Sequence, residues 1–229
     1  GDILDPESPL MILSPRYDLS DYELEKLLAF ARAGGDFFIV TQYSDPMNLT
    51  NFSSLLRAYG IQAYPGMVIA KEEDRDSYYA DSPVILMPYL QEMDATRPLI
   101  SKGENILLMT APRADTLPED VMLSPVLMTG EAYIRNYEDG QNVSQQQPGD
   151  EEGRFAVALW ADKMFEGGDV SSAFIMGDMT MFLNYWMRSS TSSTAFLLQM
   201  VRSLQGREPV NLDILPKTAQ REGLAPGNI

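Results

Sequence analysis

The residues of this chain best able to do chemistry are Arg16, Asp18, Arg113 and Asp178, each placed just after an apolar run. In open parallel sheets, ligands bind beyond the carboxyl ends of strands, where loops diverge and helix N-termini offer N–H donors. Four segments take that position: Ser14 to Asp18, Thr41 to Asp45, Thr110 to Arg113, and Gly177-Asp178. If they converge, Arg16 and Arg113 hold an anionic group, Tyr17 and Tyr43 line the pocket, and Asp18 and Asp178 accept hydrogen bonds. That arrangement would suit a small molecule or a glycan. A hydrolase built from carboxylates alone would need two of them about 5 to 10 Å apart across a cleft. Asp18 with Asp178 is the pair to consider. A plainer use is open to the same residues, and it is the preferred one. Asp18 would start a helix, Asp178 would cap the next, and the arginines would make local salt bridges.

What is missing narrows the chemistry further. The 229 residues include no histidine and no cysteine. A Ser-His-Asp or Cys-His arrangement, a histidine or thiolate metal site and a redox pair are therefore excluded. The expectation moves from enzyme to binding or assembly, with no catalytic residue, metal or cofactor. The run Glu72-Glu73-Asp74-Arg75-Asp76 offers oxygen ligands to a hard cation, but it lacks an EF-hand glycine and a closing glutamate. It reads as a solvated loop. Gly66, Gly103 and Gly130 are isolated turn candidates, and no Gly-x-x-x-x-Gly-Lys run exists. The sequons at Asn48, Asn51 and Asn142 are of a kind common by chance. A net charge of −16, with a pI near 4.3, opposes nucleic acid and anionic membranes and mildly favours cationic partners.

The elements that must position these residues alternate in type. Strands are expected at Pro9–Leu13, Phe37–Val40, Pro65–Ala70, Val84–Met87, Ile106–Met109, Val121–Met128, Phe155–Trp160 and Ala173–Met176. Ser20 and Glu23 have capping-box spacing, and Leu24, Leu27, Leu28 and Ala31 then mark one face of a helix that Gly34-Gly35 ends. Further helical stripes are Phe52, Leu55, Leu56 and Tyr59; Met179, Phe182, Leu183 and Trp186; and Phe196, Met200 and Leu204. The predicted fold is α/β, three layers (α/β/α) around a mostly parallel sheet. Residues 1–208 form one domain, 137–153 a mobile loop, and 209–229 an extended tail. Met179 to Met187 is apolar on more than one face. Burial accounts for that, or else Met179, Phe182 and Trp186 form a docking surface for a partner. Tyr78, Tyr79 and Tyr89 are weaker candidates for the same role.

The order of these segments resembles a known family. The signature is Ser14-Pro15-Arg16-Tyr17-Asp18-Leu19-Ser20, Ala33 to Val40, Leu55 to Ile61, Ile175-Met176-Gly177-Asp178 and Leu204 to Glu208. Together they look like the extracytoplasmic region of GldG-type auxiliary proteins of ABC transporters. The resemblance implies a flavodoxin-like or class I amidotransferase-like fold without enzymatic activity. It implies a place at the cell membrane, on the extracytoplasmic side, beside an ABC-2-type permease with a separate ATPase. A sister auxiliary subunit or a homo-oligomer is a further implied partner, and nucleic acid is not. The chain starts with Gly1 rather than Met and lacks the roughly 18-residue apolar run that crosses a bilayer. It therefore reads as an excised segment whose tail leads towards a removed membrane anchor.

Overall fold

The computed structural model describes residues 5–42, 49–63, 66–109, 114–116, 121–135, 145–183, 187 and 191–208. Along the chain run β1 (Leu10–Leu13), α1 (Asp21–Arg32), β2 (Phe37–Thr41), α2 (Thr50–Ala58), β3 (Ile61–Ala63) and β4 (Met67–Ala70). The middle holds β5 (Tyr78–Tyr79), β6 (Ser82–Leu86), β7 (Tyr89–Leu90), α3 (Arg97–Lys102), β8 (Leu108–Met109) and β9 (Ala114–Thr116). Next come β10 (Val121–Met128), β11 (Ala132–Arg135), β12 (Glu151–Gly153), β13 (Ala156–Met164), β14 (Val170–Gly177) and α4 (Thr191–Leu204).

The central sheet has the order β1-β2-β14-β13-β10-β7. β2 pairs in parallel with β1 on one side and with β14 on the other, Phe37 facing Ala173 and Phe38 facing Phe174. All five β2 residues are buried, as suits a strand covered on both faces. Its Phe and Ile side chains each contribute about 2 kcal/mol by leaving water. Beyond β14 the pairings are antiparallel, β14 to β13, β13 to β10 and β10 to β7. The expected mostly parallel sheet is thus corrected. Only the β1, β2 and β14 side is parallel, because the chain returns through hairpin-like neighbours after β10.

Alternation along β2 sends its side chains to two cores. Phe37 and Ile39 pack with Leu27, Phe30 and Ala31 of α1 and Phe52, Leu55 and Leu56 of α2. Phe38 and Val40 pack with Phe196, Met200 and Leu204 of α4 and Leu99 of α3. The three layers follow. Helix α1 begins with the capping box: the Glu23 N–H donates to Ser20 Oγ at 3.3 Å, and the Ser20 N–H to Glu23 at 2.7 Å. It ends at Gly34, whose φ of 80° lets the chain reverse.

Three small antiparallel sheets flank the centre: β12-β11-β4, β5-β6-β8 and β3-β9. Two segments depart from expectation. Residues 151–153, placed in a mobile loop by composition, form β12 beside β11; residues 137–144 and the tail 209–229 lie outside the described residues. The Met179 stripe opens as a 3-10 turn at Met179–Phe182, because Asp178 caps it tightly.

Candidate functional site

Helices α1 and α2 cover one face of the sheet, and α4 covers the other. The chain therefore leaves the neighbouring strands β2 and β14 towards opposite faces, and their carboxyl ends form the switch point where open α/β sheets bind ligands. Asp178 stands there. It is 1% exposed, with φ 92° and ψ 91°, backbone angles that L residues rarely adopt. Its N–H donates to the Thr41 carbonyl at 3.1 Å, tying β14 to β2. Its carboxylate accepts the Thr180 N–H at 2.7 Å and the Thr180 hydroxyl.

Asp18 is exposed beyond β1 and accepts three backbone N–H groups: Leu19 at 2.9 Å, Asn51 at 2.9 Å and Phe52 at 2.9 Å. The last two are the unpaired donors of the first turn of α2. Asp18 thus caps α2 across the fold rather than opening α1. Asn51 answers from the other side, donating to the Leu19 carbonyl at 2.8 Å and to Asp21 at 2.9 Å. What desolvation Asp18 suffers raises its carboxyl, but the N–H groups of Asn51, Phe52, Leu19 and Thr50 outweigh it and hold the group below the usual carboxylate range. A carboxylate so firmly ionised is a poor general acid.

The remaining candidates scatter. Arg16 is exposed, and Tyr17 is 88% exposed. Tyr43, Arg113 and Trp186 lie outside the described residues. Met179 and Phe182 are half-buried against the α4-side core, the Phe182 ring standing 5.9 Å from Phe38 in an edge-to-face contact. The acidic run is built into the structure as well. Asp74 accepts the Glu131 N–H at 2.8 Å, Lys71 pairs with Glu152, and Arg75 pairs with Asp81. Gly130 is required beside it, since a Cβ there would lie 2.1 Å from Asp74 Oδ2. Among the described residues no cluster of acidic side chains could hold a metal ion. Both strand-end carboxylates are committed to backbone donors, and the chain has no histidine or cysteine to activate a nucleophile beside them.

A second polar seam, at the opposite end of β2, went unread in the sequence. Asp36 Oδ1 accepts the Ser172 N–H at 2.7 Å, and Asp162 accepts the Ser172 hydroxyl at 2.6 Å and the Trp160 indole N–H at 2.8 Å. Beside it the fully buried Tyr59 hydroxyl meets Ser171 at 2.5 Å, and Ser171 donates to the Gly35 carbonyl. Ser171 has one proton, so Tyr59 is the donor to it. Burial pushes Asp36 up to about 6; the Ser172 N–H opposes this and the Asp162 charge adds to it. Burial likewise pushes the Tyr59 hydroxyl up. The signal available was Gly35-Asp36 before an apolar strand, paired with Ser171-Ser172 opening another.

No family model matches the chain, and no curated protein sequence matches it. Solved structures that share its fold include the mmIFT52 N-terminal domain. The match has a TM-score of 0.61 at 15% identity and covers 86% of this chain and 77% of that one. At that identity the likeness is one of fold. It confirms a mixed α/β domain with helices on both sides of a multi-stranded sheet, and not a flavodoxin or amidotransferase fold in particular. It also overturns the GldG-type resemblance. With that resemblance go the ABC transporter role, the permease, ATPase and sister-subunit partners, and the extracytoplasmic position at the cell membrane. Those expectations rested on segment order, which this α/β arrangement shares with the mmIFT52 domain. No helix among the described residues is long and apolar enough to cross a membrane.

Proposed function

We propose that this chain is a scaffold or adaptor domain of the kind represented by the IFT52 N-terminal domain, working by holding other proteins. The observation that carries the reading is the use of Asp18 and Asp178. The carboxylates at the edge where an α/β domain keeps its ligand chemistry are spent on capping a helix and a turn. Large apolar side chains on the surface agree with a life in contact with proteins: Met122 is 72% exposed, Met164 69% and Leu183 52%.

The test is native purification of the full protein from its own cells after cross-linking. A stoichiometric protein partner whose cross-links fall within residues 5–208 supports the reading. Absence of such a partner, together with a saturable rise in melting temperature from a phosphorylated sugar or glycan that Asp178→Asn abolishes, would overturn it.

A further inference from the structure

We propose that the open edge of β1 is a docking site for an extended segment of a partner protein. That segment would be apolar at alternate positions and basic at one end, and it would join the central sheet as a seventh strand. The proposal rests on the scaffold reading and names the surface that reading needs.

The backbone of β1 is half used. The N–H groups of Leu10 and Ser14 donate to the Asp36 and Val40 carbonyls of the β2 segment, each at 2.8 Å. Strand alternation then points the N–H and C=O of Met11 and Leu13 away from β2, towards the side where no further strand lies among the described residues. Two outward-facing residues two positions apart are what a pairing strand requires.

Within its four residues β1 holds no lysine, proline or bulge. Natural sheets blunt exposed edges with short strands, lysines, prolines or bulges. The opposite edge is blunted by shortness: β7 is only two residues long. β1 is Leu-Met-Ile-Leu, paired to β2 in unbroken register, with Pro9 and Pro15 outside it.

Side chains continue the pattern. Met11 and Leu13 are 46% and 39% exposed, while Phe38 and Val40, their register partners on β2, are fully buried. The apolar face covered by α4 therefore runs out across β1 into solvent. A strand added here would cover Met11 and Leu13 on that face and extend over Leu10 and Ile12 on the other.

Charge selects the occupant. Asp5 and Glu7 are exposed at the amino end of β1, and the whole chain carries −16. Two copies, each carrying −16, repel one another as wholes, whereas a segment with basic residues beside Asp5 and Glu7 is drawn to this edge. Arg16, exposed at the other end, sets the polarity.

The test uses the full chain and a synthetic peptide of alternating valine and threonine with two lysines at one end. Amide exchange is followed residue by residue by NMR. Met11 and Leu13 should exchange fast in the free chain and slow by about tenfold or more at saturating peptide, as newly bonded strand amides do. Met11→Pro removes an outward donor and no bond to β2, and should abolish the effect. If that variant does not fold, the peptide with glutamates for lysines serves instead and should bind more weakly. No slowing at millimolar peptide overturns the proposal. So does protection already present in the free monomer, or protection that grows with the chain's own concentration. A natural partner cross-linked only to the Met122 and Met164 side would sink the edge and leave the scaffold reading standing. Peptide binding without any natural protein partner would do the reverse.

Discussion

Asp36 should make this fold lose stability as pH rises through the mildly acidic range. Its carboxyl ionises near 3.8 when unfolded and at about 6 in the fold, first because it is buried and then because Asp162 repels its charge. Between those values the native state holds a proton that the unfolded chain has released, so stability falls with rising pH. The benefit is full below pH 3.8 and lost once pH passes about 6. Two units at 1.36 kcal/mol each would be about 3 kcal/mol, and solvent screening of this half-buried group reduces that to about 1–2 kcal/mol. Asp36→Asn keeps an oxygen for the Ser172 N–H and abolishes the ionisation. At pH 7.5 the variant should be more stable by about 1–2 kcal/mol, raising the melting temperature by about 3–6 °C, and the advantage should vanish by pH 4. Urea unfolding at a series of pH values, followed by tryptophan fluorescence, measures it. A stability difference that stays constant from pH 4 to 7.5, or a variant less stable at pH 7.5, would refute the reasoning. Asp162→Asn, which removes the smaller cause, should shift the profile less.

Asp18→Ala strips the first turn of α2 of its acceptor and should cost about 1 kcal/mol in urea unfolding at pH 7. Because the fold lowers the Asp18 pKa, that cost should shrink as the medium becomes acidic enough to protonate the wild-type carboxylate. Tyr59→Phe deletes the donor to Ser171 in a fully buried site and should cost about 1–2 kcal/mol, read by thermal denaturation. Gly130→Ala drives a Cβ to within 2.1 Å of Asp74 Oδ2 and 2.7 Å of the Ser77 Cβ. It should destabilise by about 1–3 kcal/mol and speed exchange of the Glu131 amide.

The elements that a sequence makes legible are those whose signal is local. The capping box at Ser20 and Glu23, the apolar faces of α1 and α2, the stripe Phe196, Met200 and Leu204 and the runs behind β1, β2, β10, β13 and β14 all sit within a few residues of their cause. Strand direction has no such cause. An apolar run such as Val157 to Leu159 reads the same in either sense, so the antiparallel half of the sheet was not visible. β12 was hidden because Glu151 and Glu152 face solvent and are held by backbone pairing to Ile134 and Tyr133. At the site, Asp178 caps the turn that follows it, as expected, whereas Asp18 does not open the helix beside it but caps one 33 residues further on. The Asp36 seam depends on contacts across 136 residues, beyond the reach of any spacing rule.

That same span has a consequence for how the protein comes into being. β2 is the spine of the sheet, yet its β14 neighbour pairs with it from 136 residues downstream. A ribosome adding about 5–20 residues per second delivers β14 on the order of ten seconds after β2. During that interval Phe37 to Val40 sit in a nascent unit with one edge and one face unfilled. The closing loop is long, and such parallel closures are slow. A chain cut short before β14 would carry this exposed spine permanently, so the domain should accumulate as a whole or aggregate as fragments.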